Sequence, residues 1–145
     1  EITNDLNMKI VYAPDVVVYH HRRPLFLPHL RQVWSYGVHR GYFVKRFSET
    51  SLRLTYFLPS IFVIGLVVGS LFSLISYPIR MLYAGTLGIY FLAAFINSLS
   101  EVFTSKDRGL RMVLVVFGGT ILTHLCYGIG FLKGLFSRRL REEGI

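Results

Sequence analysis

The feature that most constrains this chain is a set of three apolar runs, about 56–76, 79–99 and 110–136. None has an acidic or basic residue at its centre, where one would cost several kcal/mol in hydrocarbon. Each is close to the roughly 20 residues that a helix needs to cross a core of about 30 Å. The chain has 145 residues, 52% of them hydrophobic, and the apolar ones crowd after Tyr56. A soluble domain would spread them along its length. The runs therefore predict three transmembrane helices.

The charge pattern fits the same setting. The formal net charge is +8, and the cations flank the apolar runs, which points to an anionic membrane surface rather than to nucleic acid. Arg22, Arg23, Arg31, Arg40, Lys45, Arg46 and Arg53 precede the first run, so that side is expected to be cytoplasmic. Three crossings would carry the basic tail, 137–145, to the outside. The same rule would keep Lys133, Arg138, Arg139 and Arg141 inside, and the sequence leaves that conflict open. Cys126 stands alone in an apolar run, which excludes a disulfide framework and a CxxC metal site.

Before the runs, the pattern changes. Glu1–Leu6 resembles the last turns of a helix, and Asn4, Asp5 and Asn7 suit its end. Lys9–Tyr12 is a short β-prone run that Ala13-Pro14-Asp15 breaks. Val16–Tyr19 is β-branched and aromatic, the composition of a buried strand. Residues 1–27 thus have the look of the end of an α/β domain, and the chain is expected to be the C-terminal piece of something longer. His20 and His21 end the second strand, where open α/β sheets place ligands. Strand side chains alternate, so one imidazole can face a site while the other faces away. Arg22 and Arg23 add guanidinium groups suited to phosphate.

Residues 28–55 form a juxtamembrane unit. A helix is predicted over 28–47, starting at a proline. Leu30, Val33, Trp34, Val38 and Val44 recur at helical spacing, and Arg31, His39, Arg40, Lys45 and Arg46 supply the charge. A basic, Trp-bearing amphipathic helix is suited to the headgroup plane. Gly37 and Gly41 weaken it by about 1 kcal/mol each relative to Ala, unless a bend or a close approach requires them. Gly65 and Gly69 form a G-x-x-x-G pattern in the first run, and Gly118, Gly119, Gly128, Gly130 and Gly134 suggest tight packing in the third.

YAPDVVVYHHRRP followed by RQVWSYGVHRG resembles the end of the catalytic domain in membrane-anchored family 2 glycosyltransferases of the GT-A type. The nearest likeness is to those that build surface polysaccharides on lipid carriers. In that family a strand of the form P-x-x-V-V-x-H closes the nucleotide-sugar site. Here it is Pro14-Asp15-Val16-Val17-Val18-Tyr19-His20. The resemblance maps the family's metal-associated histidine onto His20, with His21 second. It implies a divalent cation, Mn or Mg, that neutralises the leaving diphosphate, and a nucleotide-sugar whose phosphates Arg22 and Arg23 would hold. Where processive members carry Gln-x-x-Arg-Trp, this chain has Gln32, then Ser35 and Tyr36. That departure favours transfer of single sugars. By position, Gln32, Trp34, Tyr36 and Arg40 would meet a lipid-linked acceptor, with Arg40 on its phosphate. HLCYGIGFLKG at His124–Gly134 looks like the terminal segment of such proteins. The family's Asp-x-Asp motif and catalytic base are expected upstream of Glu1, so this stretch alone would transfer nothing.

Plainer roles fit the same residues. His20 and His21 would be solvated at a strand end, Arg22 and Arg23 would anchor the chain, and Trp34 and Tyr36 would join an interfacial belt. His124 would be hydrogen-bonded between helices. The architecture expected is mainly α and membrane-bound: a short αββ remnant of a GT-A domain, an amphipathic interfacial helix and three transmembrane helices. The partners expected are nucleotide-sugar, lipid-linked acceptor and membrane lipids, with catalysis on the cytoplasmic face of the cell membrane. The competing class is a non-catalytic anchor or a small subunit of a transport or export complex.

Overall fold

A computed structural model describes residues 15–19, 26–105 and 109–140. The described chain is helical. Helix α1 is Leu27–Arg46, α2 is the single turn Ser48–Ser51, α3 is Leu58–Phe72, α4 is Tyr77–Thr104 and α5 is Leu110–Phe136, with a 3-10 turn at Leu54–Tyr56 before α3.

Prolines set the starts. Pro28, Pro59 and Pro78 each stand in the first turn of a helix, where the missing N–H costs nothing. Lys45 and Arg46 occupy the last turn of α1, and Lys133 that of α5. Their charge complements the carbonyl end of each helix dipole.

Two expectations are corrected. The αββ remnant is absent among the described residues, which contain no strand. Val16–Tyr19 has no regular structure there, and Tyr19 is 95% exposed. A β-prone tetrapeptide becomes a strand only when a neighbour accepts its ladder and covers one face. Val16–Tyr19 has no such neighbour among the described residues. The other two pieces of that expectation, Glu1–Leu6 and Lys9–Tyr12, lie outside the described residues.

The second correction concerns the three spans. The structure has two helices long and apolar enough to cross a membrane, α4 with 28 residues and α5 with 27. The run at 56–76 condenses into α3, which has 15 residues. At 1.5 Å per residue it is about 22 Å long, short of the hydrocarbon core. The cause is local. Arg53–Phe57 is taken up by the 3-10 turn, whose Tyr56 and Phe57 amides donate to Arg53 and Leu54 carbonyls. At the other end, Ser70 and Ser73 hydroxyls bond to the Val67 and Ser70 carbonyls (2.8 and 2.7 Å). Leu74 and Ile75 then close tight i to i−3 turns, and Ser76 is extended ahead of Pro78.

The two long helices are not a buried core within this chain. Only 6% of the most apolar stretch of α4, and 17% of that of α5, is buried within the chain. A soluble core helix would be mostly covered. These exposed apolar surfaces require lipid or other helices around them.

The core is the seam between α1 and α5. Contacts between them rise together in number: His29 meets Thr123, Gly37 meets Phe131, Gly41 meets Leu135 and Lys45 meets Ser137. The helices therefore run side by side in the same direction, with all of α1 along the second half of α5. The buried stripe on α1 is Val33, Gly37, Gly41 and Val44, not the larger apolar set of Leu30, Trp34 and Val38. Gly130 and Gly134 of α5 oppose it. A Cβ on Gly37 would lie 2.6 Å from the Tyr127 carbonyl oxygen, and one on Gly130 would lie 2.8 Å from that of Trp34. Cβ atoms on Gly41 and Gly134 would collide with the Phe131 and Val38 carbonyls. The two G-x-x-x-G patterns thus interlock, backbone on backbone. Gly65 and Gly118, by contrast, face open space.

Candidate functional site

The expected site residues fall in two groups. His20, His21, Arg22 and Arg23 lie outside the described residues. Gln32, Trp34, Tyr36 and Arg40 lie on α1, where the seam divides them. Gln32, Tyr36 and Arg40 are spaced i, i+4, i+8 and share one flank. Trp34 lies on the other.

On the first flank, the Gln32 side-chain amide donates to the Tyr36 hydroxyl at 2.7 Å. One turn further, the Arg40 guanidinium lies over the Tyr56 ring, 4.4 Å from its centroid. Tyr56 reaches this position because the 3-10 turn folds the chain back over the end of α1. Arg40 is exposed, so the ring orients the guanidinium without covering it. Beside it the Tyr127 hydroxyl of α5 is buried, and Arg40 is the cation that interacts with it, short of a well-formed hydrogen bond. Arg40, Tyr56 and Tyr127 thus gather one cation and two phenols at one corner, where the guanidinium is exposed and the Tyr127 hydroxyl is buried.

On the second flank, the Lys133 ammonium lies 5.3 Å from the centroid of the Trp34 ring. Trp34 is therefore covered by a cation of α5 and faces away from Gln32, Tyr36 and Arg40.

A third place sits nearer the middle of α5. His29, Val116, Gly119, Thr120, Thr123 and His124 line an open groove. His29 Nε2 and Thr123 Oγ1 are 3.3 Å apart. The Tyr90 hydroxyl and His124 Nδ1 are hydrogen-bonded at 2.9 Å, and Phe62 packs on the Tyr90 ring at 4.3 Å. His124 therefore does bond between helices, from α5 to α4.

The described residues contain no group of three or more His, Cys, Asp or Glu side chains placed to hold a metal ion. The groove brings two imidazoles together without a carboxylate or thiolate. The described part thus offers no donor set for the divalent cation expected with His20. Tyr56 and Tyr127 were not singled out in the sequence. Tyr56 stood at the edge of an apolar run and Tyr127 inside one, and only the folded chain brings either to Arg40.

No protein-family model, curated protein or solved structure matches this chain.

Proposed function

We propose that this chain is the membrane-seated part of an enzyme that transfers a sugar from a nucleotide-sugar to a lipid-linked acceptor. In this reading its own task is to hold the acceptor's phosphate. The observation that carries the reading is the corner at Arg40. A guanidinium oriented by Tyr56 and exposed beside the buried Tyr127 hydroxyl offers charge-assisted donors to a phosphate oxygen. It lies at the end of apolar helices, where a lipid phosphate would travel. Gln32 and Tyr36, on the same flank, would meet the sugar or the pyrophosphate that follows. The resemblance of residues 9–41 to family 2 glycosyltransferases supplies the reaction class, and the metal-dependent donor site would involve His20.

The test is kinetic. In the full-length enzyme, Arg40→Ala raises the acceptor concentration needed for half-maximal rate by tenfold or more, about the loss of one charge-assisted contact, and leaves donor hydrolysis unchanged. Unaltered acceptor saturation rules out the corner. At the donor end, His20→Ala weakens nucleotide-sugar binding in the presence of Mn²⁺ far more than His21→Ala. Equal, near-native binding in both variants removes His20 from the donor site.

A second reading, a non-catalytic anchor within a larger assembly, draws on α3. That helix is apolar, too short to span, and exposes Ile61, Ile64, Val67 and Leu71. Purification of the native protein in a fixed ratio with another membrane protein, without any transferase activity, would favour it.

A further inference from the structure

We infer that the shared end of α1 and α5 is a seat for the anionic headgroups of one membrane leaflet. The inference rests on reading α4 and α5 as membrane helices, and it is independent of the transfer reaction.

Arg40, Lys45, Arg46, Lys133, Arg138 and Arg139 are all exposed and lie at this end. It is held together by the interlocked glycines and by the Lys45 ammonium, which donates to the Ser137 carbonyl. Neither helix, nor the stretch 137–140, contains a single Asp or Glu. Of the described carboxylates on other helices, Glu101 lies toward the opposite end of the long pair. Tyr90 of α4 meets His124, Phe95 meets Phe117, and Glu101 lies further along in that direction. Among the described residues Glu49 stands close in sequence to the cations, and Glu142 and Glu143 follow Arg141 beyond them. The six cations at this end thus outnumber the carboxylates near them in sequence, Glu49, Glu142 and Glu143.

The form of the surface selects lipid over a soluble anion. Three of these cations lie over aromatic rings: Arg40 over Tyr56, Lys133 over Trp34 and Lys45 over Tyr42. Next to the rings the surface turns apolar, with Leu58, Ile61 and Ile129 exposed. Cations outermost, aromatic rings beneath and aliphatic side chains beyond reproduce the order of a phospholipid: phosphate, glycerol backbone, acyl chain. The seat surrounds both flanks of the seam, so it addresses many headgroups rather than one small ion.

Trp34 is the only tryptophan and lies under Lys133, which makes it a built-in reporter. The full chain is reconstituted into phosphatidylcholine vesicles that contain brominated phosphatidylglycerol or, separately, brominated phosphatidylcholine. At equal mole fraction, the brominated anionic lipid quenches Trp34 more strongly, and added salt narrows the difference. Lys133→Gln, checked for native helicity by circular dichroism, lowers the preference about fivefold, the worth of one cation near an anionic surface. Equal quenching by the two lipids, or quenching by neither, overturns the inference. So does a preference that inorganic phosphate abolishes at constant ionic strength, because that result would assign the end to a small anion.

Discussion

At the scale of single residues, the absence of a side chain does the most at Gly41 and Gly134. Each allows a carbonyl of the opposite helix to sit where a Cβ would be. Backbone cannot move aside as a side-chain tip can, so Gly41→Leu or Gly134→Leu should cost about 3 kcal/mol or more, the upper range for overpacking. Thermal unfolding in detergent micelles would show it as a large fall in midpoint. Gly118→Ala is the contrast. Nothing lies within 4 Å of its added methyl, and a helix interior gains about 0.5–1 kcal/mol from Ala over Gly, so its midpoint should rise or hold. The sequence made some of this visible. The run of glycines in the third apolar segment suggested close packing, and Gly128, Gly130 and Gly134 provide it. Gly37 and Gly41 were open to a bend or to a ligand, because glycine spacing on one helix does not say whose backbone will come near. Tyr90→Phe belongs to this scale too. It removes the partner of His124 and should cost about 1 kcal/mol, as interhelical hydrogen bonds in membranes do, while the Phe62 stacking remains.

Elements were legible where one local signal dominated. The boundaries of α5 follow from a long apolar run that begins after Gly109, and those of α1 from a proline at one end and a basic turn at the other. Two elements were not legible for opposite reasons. Val16–Tyr19 has strand composition, but pairing is a property of a neighbour, and composition does not supply one. The run at 56–76 has the apolar length of a span, but its ends are spent on turns. Hydropathy counts residues without asking whether they share one helix. A length test follows from this. With Cys126 replaced by Ala and single cysteines placed at Leu58 and Phe72, a membrane-impermeant thiol reagent added from one side of sealed vesicles should reach both positions or neither. Labelling of the two from opposite sides would mean that α3 crosses after all.

For the molecule as a whole, two long helices in place of three change the topology. Crossing by α4 and α5 alone would return the chain to its starting side. The contact of Lys45 with Ser137 joins the end of α1 to the residues after α5, so with two crossings the basic tail would share the side of the cations on α1. Cysteines at Ser48 and Arg139 should therefore be labelled from the same side, and one at Gly109 from the other. Labelling of Ser48 and Arg139 from opposite sides would refute this arrangement. The charge pattern had set the tail against three crossings, and it is the count of three long helices that the structure corrects.

The partners His29 and Thr123 are separated by 94 positions along the chain, and that spacing imposes an order on biogenesis. A ribosome makes the earlier helix first, yet the surface that must receive it is not finished until Gly134 has been synthesised. For the whole of that interval α1 has no seam to occupy. Released chains that end before Gly134 should leave α1 open to protease, and those that extend past Ser137 should protect it.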